Sequence, residues 1–148
     1  MRLRPSGNSG MLVASISAFE KYQNQDAWTW EHQALVRARA IVGDERLVAK
    51  FDKVRIDILT KPRDIETLRQ EVIAMREKMK ANAKALDIKQ GNGGLIDIEF
   101  ISQYAVLAFS SAHPLLYKWT DNIRILESIN RVLVGCFILL SGFGHIFA

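Results

Sequence analysis

Cysteine occurs once in the 148 residues, at Cys136, so the chain closes no internal disulfide and builds no cysteine-rich metal site. That usage is compatible with a reducing compartment. Proline is scarce, at three residues, and no low-complexity linker or internal repeat divides the sequence. The stretch from Met1 to Gly7 lacks the apolar run of a signal peptide. Neither sign of charge dominates: 20 Lys and Arg against 16 Asp and Glu leave a net charge of +4. This mildly favours anionic partners, but it is too small and too evenly spread to argue for nucleic acid. What is present is an apolar share of 49% and a charged share of 24%, enough for a core in one soluble domain or a piece of a larger one.

The segment 28–44, which opens Trp28-Thr-Trp-Glu-His32, organises the rest. Its period predicts one helix with Asp26 as N-cap and Gly43 as terminator. Trp28, His32, Leu35, Arg39 and Val42 fall on one stripe, and Trp30, Ala34, Arg37 and Ile41 on a second. Both stripes mix large apolar groups with a cation, whereas a surface helix separates them. Two accounts fit: a buried helix whose arginines reach out along their alkyl stems, or Arg37 and Arg39 held by aromatics so that their forks meet phosphate or carboxylate.

Ahead of this segment, Pro5 and Gly7-Asn-Ser-Gly10 punctuate two apolar pieces, around Leu3 and Met11-Leu-Val13, which suggests strand, turn and strand. Arg2 and Arg4 share one face of the first strand, and the turn with Asn8 lets backbone amides approach an anion. Ser17 to Glu20 fits a capping box opening a short helix to about Gln23. Asp44 caps a helix with Leu47, Phe51, Val54 and Ile58 at helical spacing, which Pro62 breaks. Asp64 opens an amphipathic helix with Ile65, Leu68, Val72, Met75 and Met79 inward and Arg69, Glu71, Arg76, Glu77, Lys78 and Lys80 outward.

A second punctuated stretch, Asp87 to Gly94, leads into Leu95–Phe109, which is apolar nearly all round and therefore buried on most sides. Asp97 and Glu99 stand in its first turns. They either complement the helix dipole or form carboxylates in an apolar wall beside a Gly-rich loop and Lys89, a costly placement unless paired. His113-Pro114 ends this helix, and Thr120 or Asp121 caps a last one with Ile123, Leu126 and Ile129 inward. From Val132 to Ala148 there is no Asp, Glu, Lys or Arg, a length at the lower edge of a bilayer span but interrupted by glycines. Such a tail is buried, paired with a partner, or drives self-association.

Four stretches taken together resemble the bacterial glutamine synthetase adenylyltransferase (glutamate–ammonia ligase adenylyltransferase) family. They are Met1 to Gly10, Ala27 to Arg39, Lys89 to Phe100, and Trp119-Thr-Asp-Asn122, in order and at fitting spacing as far as about residue 128. The wording is similar to the adenylylating half of enzymes that carry two nucleotidyltransferase domains. One domain attaches AMP from ATP to a tyrosine of glutamine synthetase, and the other removes it by phosphorolysis.

The resemblance implies an α+β, predominantly helical chain: the final strands of a nucleotidyltransferase sheet followed by a helical bundle. It implies the end of a nucleotidyltransferase domain over 1–44, a bundle over 45–131, and an apolar tail of separate origin over 132–148. Arg2, Arg4, Asn8, Arg37 and Arg39 are then expected near the nucleotide or the target tyrosine loop, and Lys89, Asp97 and Glu99 in the helical domain beside it. ATP and magnesium are the implied cofactors, glutamine synthetase and the PII signal protein the implied partners, and the cytoplasm the implied place. The family's three magnesium carboxylates fall ahead of Met1, so a chain with no catalytic carboxylate, from a truncated reading frame, is expected to be inactive alone. The competing expectation is a non-catalytic module that only contacts glutamine synthetase or PII.

Overall fold

Helix Leu95–Phe109 is apolar nearly all round and stands at the centre of the bundle. The computed structural model describes residues 13–80 and 87–134, with the side chains of 133 and 134 left aside. In chain order the helices are α1 Ile16–Gln25, α2 Thr29–Val36, α3 Glu45–Leu59, α4 Ile65–Lys80, α5 Leu95–Phe109 and α6 Asn122–Val134, with a 3-10 turn at Pro114–Tyr117. Helices α2, α4 and α6 and the 3-10 turn pack on α5, while α3 packs against α1 and α2. One core joins them: Leu35 and Val36 of α2, Ile58 of α3, Val72 of α4, Leu107 of α5 and Ile125 of α6. The helical part of the predicted architecture is therefore present. No strand occurs among the described residues. The strands predicted at Leu3 and Met11-Leu12 lie outside them, and Val13 has no regular structure and is exposed.

Local signals account for most helix starts. Asp44 accepts from the amide of Arg46 at 2.9 Å, Asp64 from Thr67 at 2.8 Å, and Asp121 from Arg124 at 3.0 Å, which selects Asp121 over Thr120. Two starts differ from expectation. Ser15, not Ser17, caps α1, accepting from the amide of Ala18 at 3.1 Å. Trp28, not Asp26, is the N-cap of α2; its backbone amide donates to Glu31 at 3.0 Å, and the residue is 72% exposed.

Two further expectations are corrected. Helix α2 ends at Val36 instead of running to Gly43, and Ile41 and Val42 stand exposed at 87% and 92% on the non-helical segment that follows. Helix α3, by contrast, ends as expected, at Leu59 with Thr60 as C-cap, two residues ahead of Pro62. On α6 the buried positions are Ile125 and Ser128, while Ile123 faces solvent and Leu126 stands at the edge of exposure. That helix runs to Val134, and Val132 packs against the core. The rest of the apolar tail, from Gly135, lies outside the described residues.

Candidate functional site

Of the polar groups singled out in the sequence, the structure pairs Asp97 with Arg76 and Glu99 with Arg37. The Gly-rich turn before α5 is organised first by Asp87. Its Oδ1 accepts from the amides of Lys89 and Gln90, at 2.8 and 2.9 Å. The amide of Gly94 donates to the carbonyl of Gly91 at 3.0 Å, and that of Gly93 donates to Asp97 Oδ2 at 2.6 Å. These amides are spent within the turn, so they are not turned outward toward an anion. Gly93 adopts φ +73°, and a Cβ on Gly94 would lie 2.6 Å from the carbonyl oxygen of Ile88.

Asp97 is buried, and both its oxygens are engaged. Oδ1 accepts from Arg76 Nε, whose guanidinium also donates through Nη2 to the carbonyls of Gln90 at 2.8 Å and Gly91 at 3.3 Å. Arg76 is 3% exposed and Asp97 5%. Burying two charges is tolerated because each is paired and hydrogen-bonded. Arg76 was expected on the solvent face of α4; it belongs instead to the buried row Leu68, Val72, Arg76, each four residues after the last. Lys89 stays exposed on the turn.

Glu99, two positions on, points away from Asp97 and accepts from Arg37 Nη1 at the surface. The structure thus joins one member of the expected nucleotide set, Arg37, to one member of the expected helical-domain set, Glu99. Arg39 is exposed on the segment after α2, and Arg2, Arg4 and Asn8 lie outside the described residues. Among the described residues the cation–π contacts are those of Lys118 and Arg124 with Trp119, at 5.1 and 4.6 Å, and they include neither Arg37 nor Arg39.

Arg37 emerges where α2 is stopped by Arg55, a residue the sequence did not single out. Arg55 Nε donates to the Leu35 carbonyl at 2.9 Å and Nη2 to the Val36 carbonyl at 2.8 Å. Its Nη1 donates to the Tyr117 carbonyl at 2.9 Å, tying the end of α2 to the 3-10 turn. A cation on these carbonyls meets the negative end of the helix dipole. Burial lowers the guanidinium's pKa, and the nearby Asp52 carboxylate opposes that shift. Arg55 and Arg76 share a legible signal: each stands four residues after an apolar stripe member, Phe51 or Val72.

His32 anchors the other side of α2. Its Nε2–H donates to the Gln23 carbonyl at 3.0 Å, and Nδ1 accepts from Arg63 Nη2 at 3.4 Å. Both contacts require the neutral ring protonated at Nε2. Burial lowers the His32 pKa; the Gln23 contact and Glu31 raise it, while Arg63 and Lys61 lower it. Arg63 itself also donates to the carbonyl of Ile58 at 2.8 Å, closing the α3–α4 corner.

Among the described residues no three acidic, histidine or cysteine side chains converge on a metal position, and the oxygens of Asp97 are already taken. These residues do not fit a magnesium site. No helix among them is long and apolar enough to cross a membrane.

A match to the glutamate-ammonia ligase adenylyltransferase family covers residues 1–54. A protein of Pseudomonas aeruginosa named bifunctional glutamine synthetase adenylyltransferase/adenylyl-removing enzyme is 51% identical over 88% of this chain and 15% of its own length. Proteins of the same name from Pseudomonas putida, 53% identical over 88% of the chain, and Vibrio parahaemolyticus, 55% over 86%, match likewise. They cover 15% and 14% of those relatives. The relatives it matches are thus named as adenylyltransferases. The chain belongs to the glutamate–ammonia ligase adenylyltransferase family and spans about 15% of the length of its curated relatives.

Proposed function

We propose that this chain is part of a nucleotidyltransferase that moves AMP from ATP to a tyrosine of glutamine synthetase, within the adenylylating half of such an enzyme. The observation that carries this reading is identity above half to relatives bearing that name, over 88% of the chain. Residues 1–44 complete the nucleotidyltransferase domain, including the last strands of its sheet. Residues 45–131 form the bundle on which its final helices, α1 and α2, pack. Arg37 and Arg39, with Arg2, Arg4 and Asn8, meet the nucleotide phosphates or the target tyrosine loop; a guanidinium fork suits a phosphate geometrically and electrostatically. Lys89, Asp97 and Glu99 serve from the bundle, Asp97 by holding the turn on which Lys89 is displayed. ATP and magnesium act in the cytoplasm, with the metal held by carboxylates outside these 148 residues, and PII is a regulatory partner.

The 148 residues alone therefore transfer no AMP. Residues 1–131 exchanged for the matching segment of the Pseudomonas aeruginosa relative restore transfer. Incubation of both with glutamine synthetase, labelled ATP and magnesium tests this. Label on glutamine synthetase from the isolated chain, or a folded exchange protein that transfers none, contradicts the proposal.

A second function, as a non-catalytic contact module for glutamine synthetase or PII, is favoured by one observation. Ile88 and Leu95 expose apolar surface side by side at the start of α5, where the Leu95 amide donates to the Ile88 carbonyl at 3.2 Å. An exchange protein that binds glutamine synthetase yet transfers no AMP would favour it.

A further inference from the structure

The Arg37–Glu99 contact sits at the surface, with side chains 45% and 33% exposed. Ion pairs of this kind contribute about 0–1 kcal/mol to folding. The backbone beneath it is anchored far more heavily than such a pair needs. On one side Arg55 grips the carbonyls of Leu35 and Val36, the two residues directly before Arg37. On the other, Arg76 and the Gly93 amide hold both oxygens of Asp97, two residues before Glu99. Two buried guanidiniums thus fix the two carriers of one exposed contact.

A long side chain on a fixed backbone still rotates about its own torsions, at a cost in entropy when a ligand orders it. Glu99 removes that freedom by taking Nη1. The Nε–Nη2 edge of the fork then remains for a second anion, and two parallel donors on that edge match two oxygens of one phosphate. Glu99 is anionic, so it also lowers the local charge. Positioning outweighs that loss only if the ordered fork binds better than a free one.

We propose that Glu99 is a positioning residue that presents the Nε–Nη2 edge of Arg37 to a phosphate of the nucleotide, linking α5 of the bundle to the nucleotide site. This rests on the reading of Arg37 as a nucleotide contact given above.

The test uses the full chain, its Arg37→Ala, Glu99→Gln and Glu99→Ala variants, and ATP without magnesium, titrated by calorimetry. Arg37→Ala weakens ATP binding by about tenfold or more, as expected on losing a charge-assisted pair of contacts. Glu99→Ala loses a smaller factor, and Glu99→Gln, which keeps an acceptor oxygen at the same reach, lies between Glu99→Ala and the parent. Melting temperatures of all four stay close together, because the pair adds little to folding. Nitrogen-15 NMR of the Arg37 side chain gives a readout independent of ATP: its guanidinium rotation is slowed in the parent and released in Glu99→Ala. Unchanged or tighter ATP binding in Glu99→Ala overturns the positioning role while leaving Arg37 as a nucleotide contact. Unchanged ATP binding in Arg37→Ala, or no ATP binding by the parent, overturns the nucleotide reading itself. Equal Arg37 rotation with and without Glu99 then overturns the positioning role on its own.

Discussion

Arg76 on α4 and Asp97 on α5 form an ion pair that solvent barely reaches, and the same two side chains hold the intervening Gly-rich turn. Asp97 receives the Gly93 amide, and Arg76 gives to the Gln90 and Gly91 carbonyls. Pair and turn therefore stand or fall together.

Removing one partner leaves a buried, uncompensated charge. Arg76→Ala or Asp97→Ala is expected to lower unfolding free energy by about 3–5 kcal/mol. The double variant should cost clearly less than the sum, because the orphaned charge is then absent. Urea unfolding followed by circular dichroism measures all three; additive losses would show that the pair does not act as a unit.

The glycines of the turn separate steric from conformational demand. Gly94→Ala places a Cβ 2.6 Å from the Ile88 carbonyl oxygen and 2.9 Å from two more, so backbone must shift. Gly93→Ala meets open space but retains φ +73°, a strain of about 1–2 kcal/mol. Gly94→Ala is expected to lower the melting temperature more than Gly93→Ala. The reverse order would mean that the turn is positioned differently.

His32 makes stability depend on pH. Its pKa in the folded chain lies below the ordinary histidine value, chiefly through burial. The unfolded chain therefore takes up the proton first, and the contribution present above about pH 6.5 is lost as pH falls through that value toward the lower folded pKa. Protonated Nδ1 would also face the Arg63 guanidinium. Thermal melts between pH 8 and pH 5 should show a smaller decline for His32→Gln than for the parent. Equal declines would exclude His32 as the source.

Much of the helical frame was legible because its signals are local. Asp44 and Asp64 announce α3 and α4 through their caps, and the all-round apolarity of Leu95–Phe109 announces the central helix. What was not legible depends on partners distant in sequence. Helix α2 stops at Val36 because Arg55, twenty residues from Leu35, takes its last carbonyls, and no propensity at Arg37–Gly43 foretells that. Helix α6 offers Ile123-Leu126 and Ile125-Ile129 as alternative apolar stripes, and docking on α5 and the 3-10 turn selects the second. Of the site, the residue types were readable but not their pairing. Charge patterning along one helix cannot say that Arg37 meets Glu99 or that Arg76 turns inward to Asp97.

Arg37 and Arg39 separate function from folding. Both are exposed, so alanine at either should change unfolding free energy by less than about 1 kcal/mol. A chain in which either variant unfolds would instead make these arginines structural.

The most direct measurement is the initial rate of labelled AMP transfer from ATP to glutamine synthetase by the exchange protein carrying residues 1–131 of this chain, compared with its Arg37→Ala form. The account predicts transfer by the first and a rate at least about tenfold lower for the second, equal to about 1.4 kcal/mol of transition-state stabilisation, at an unchanged melting temperature. Equal rates for the two folded proteins would contradict it.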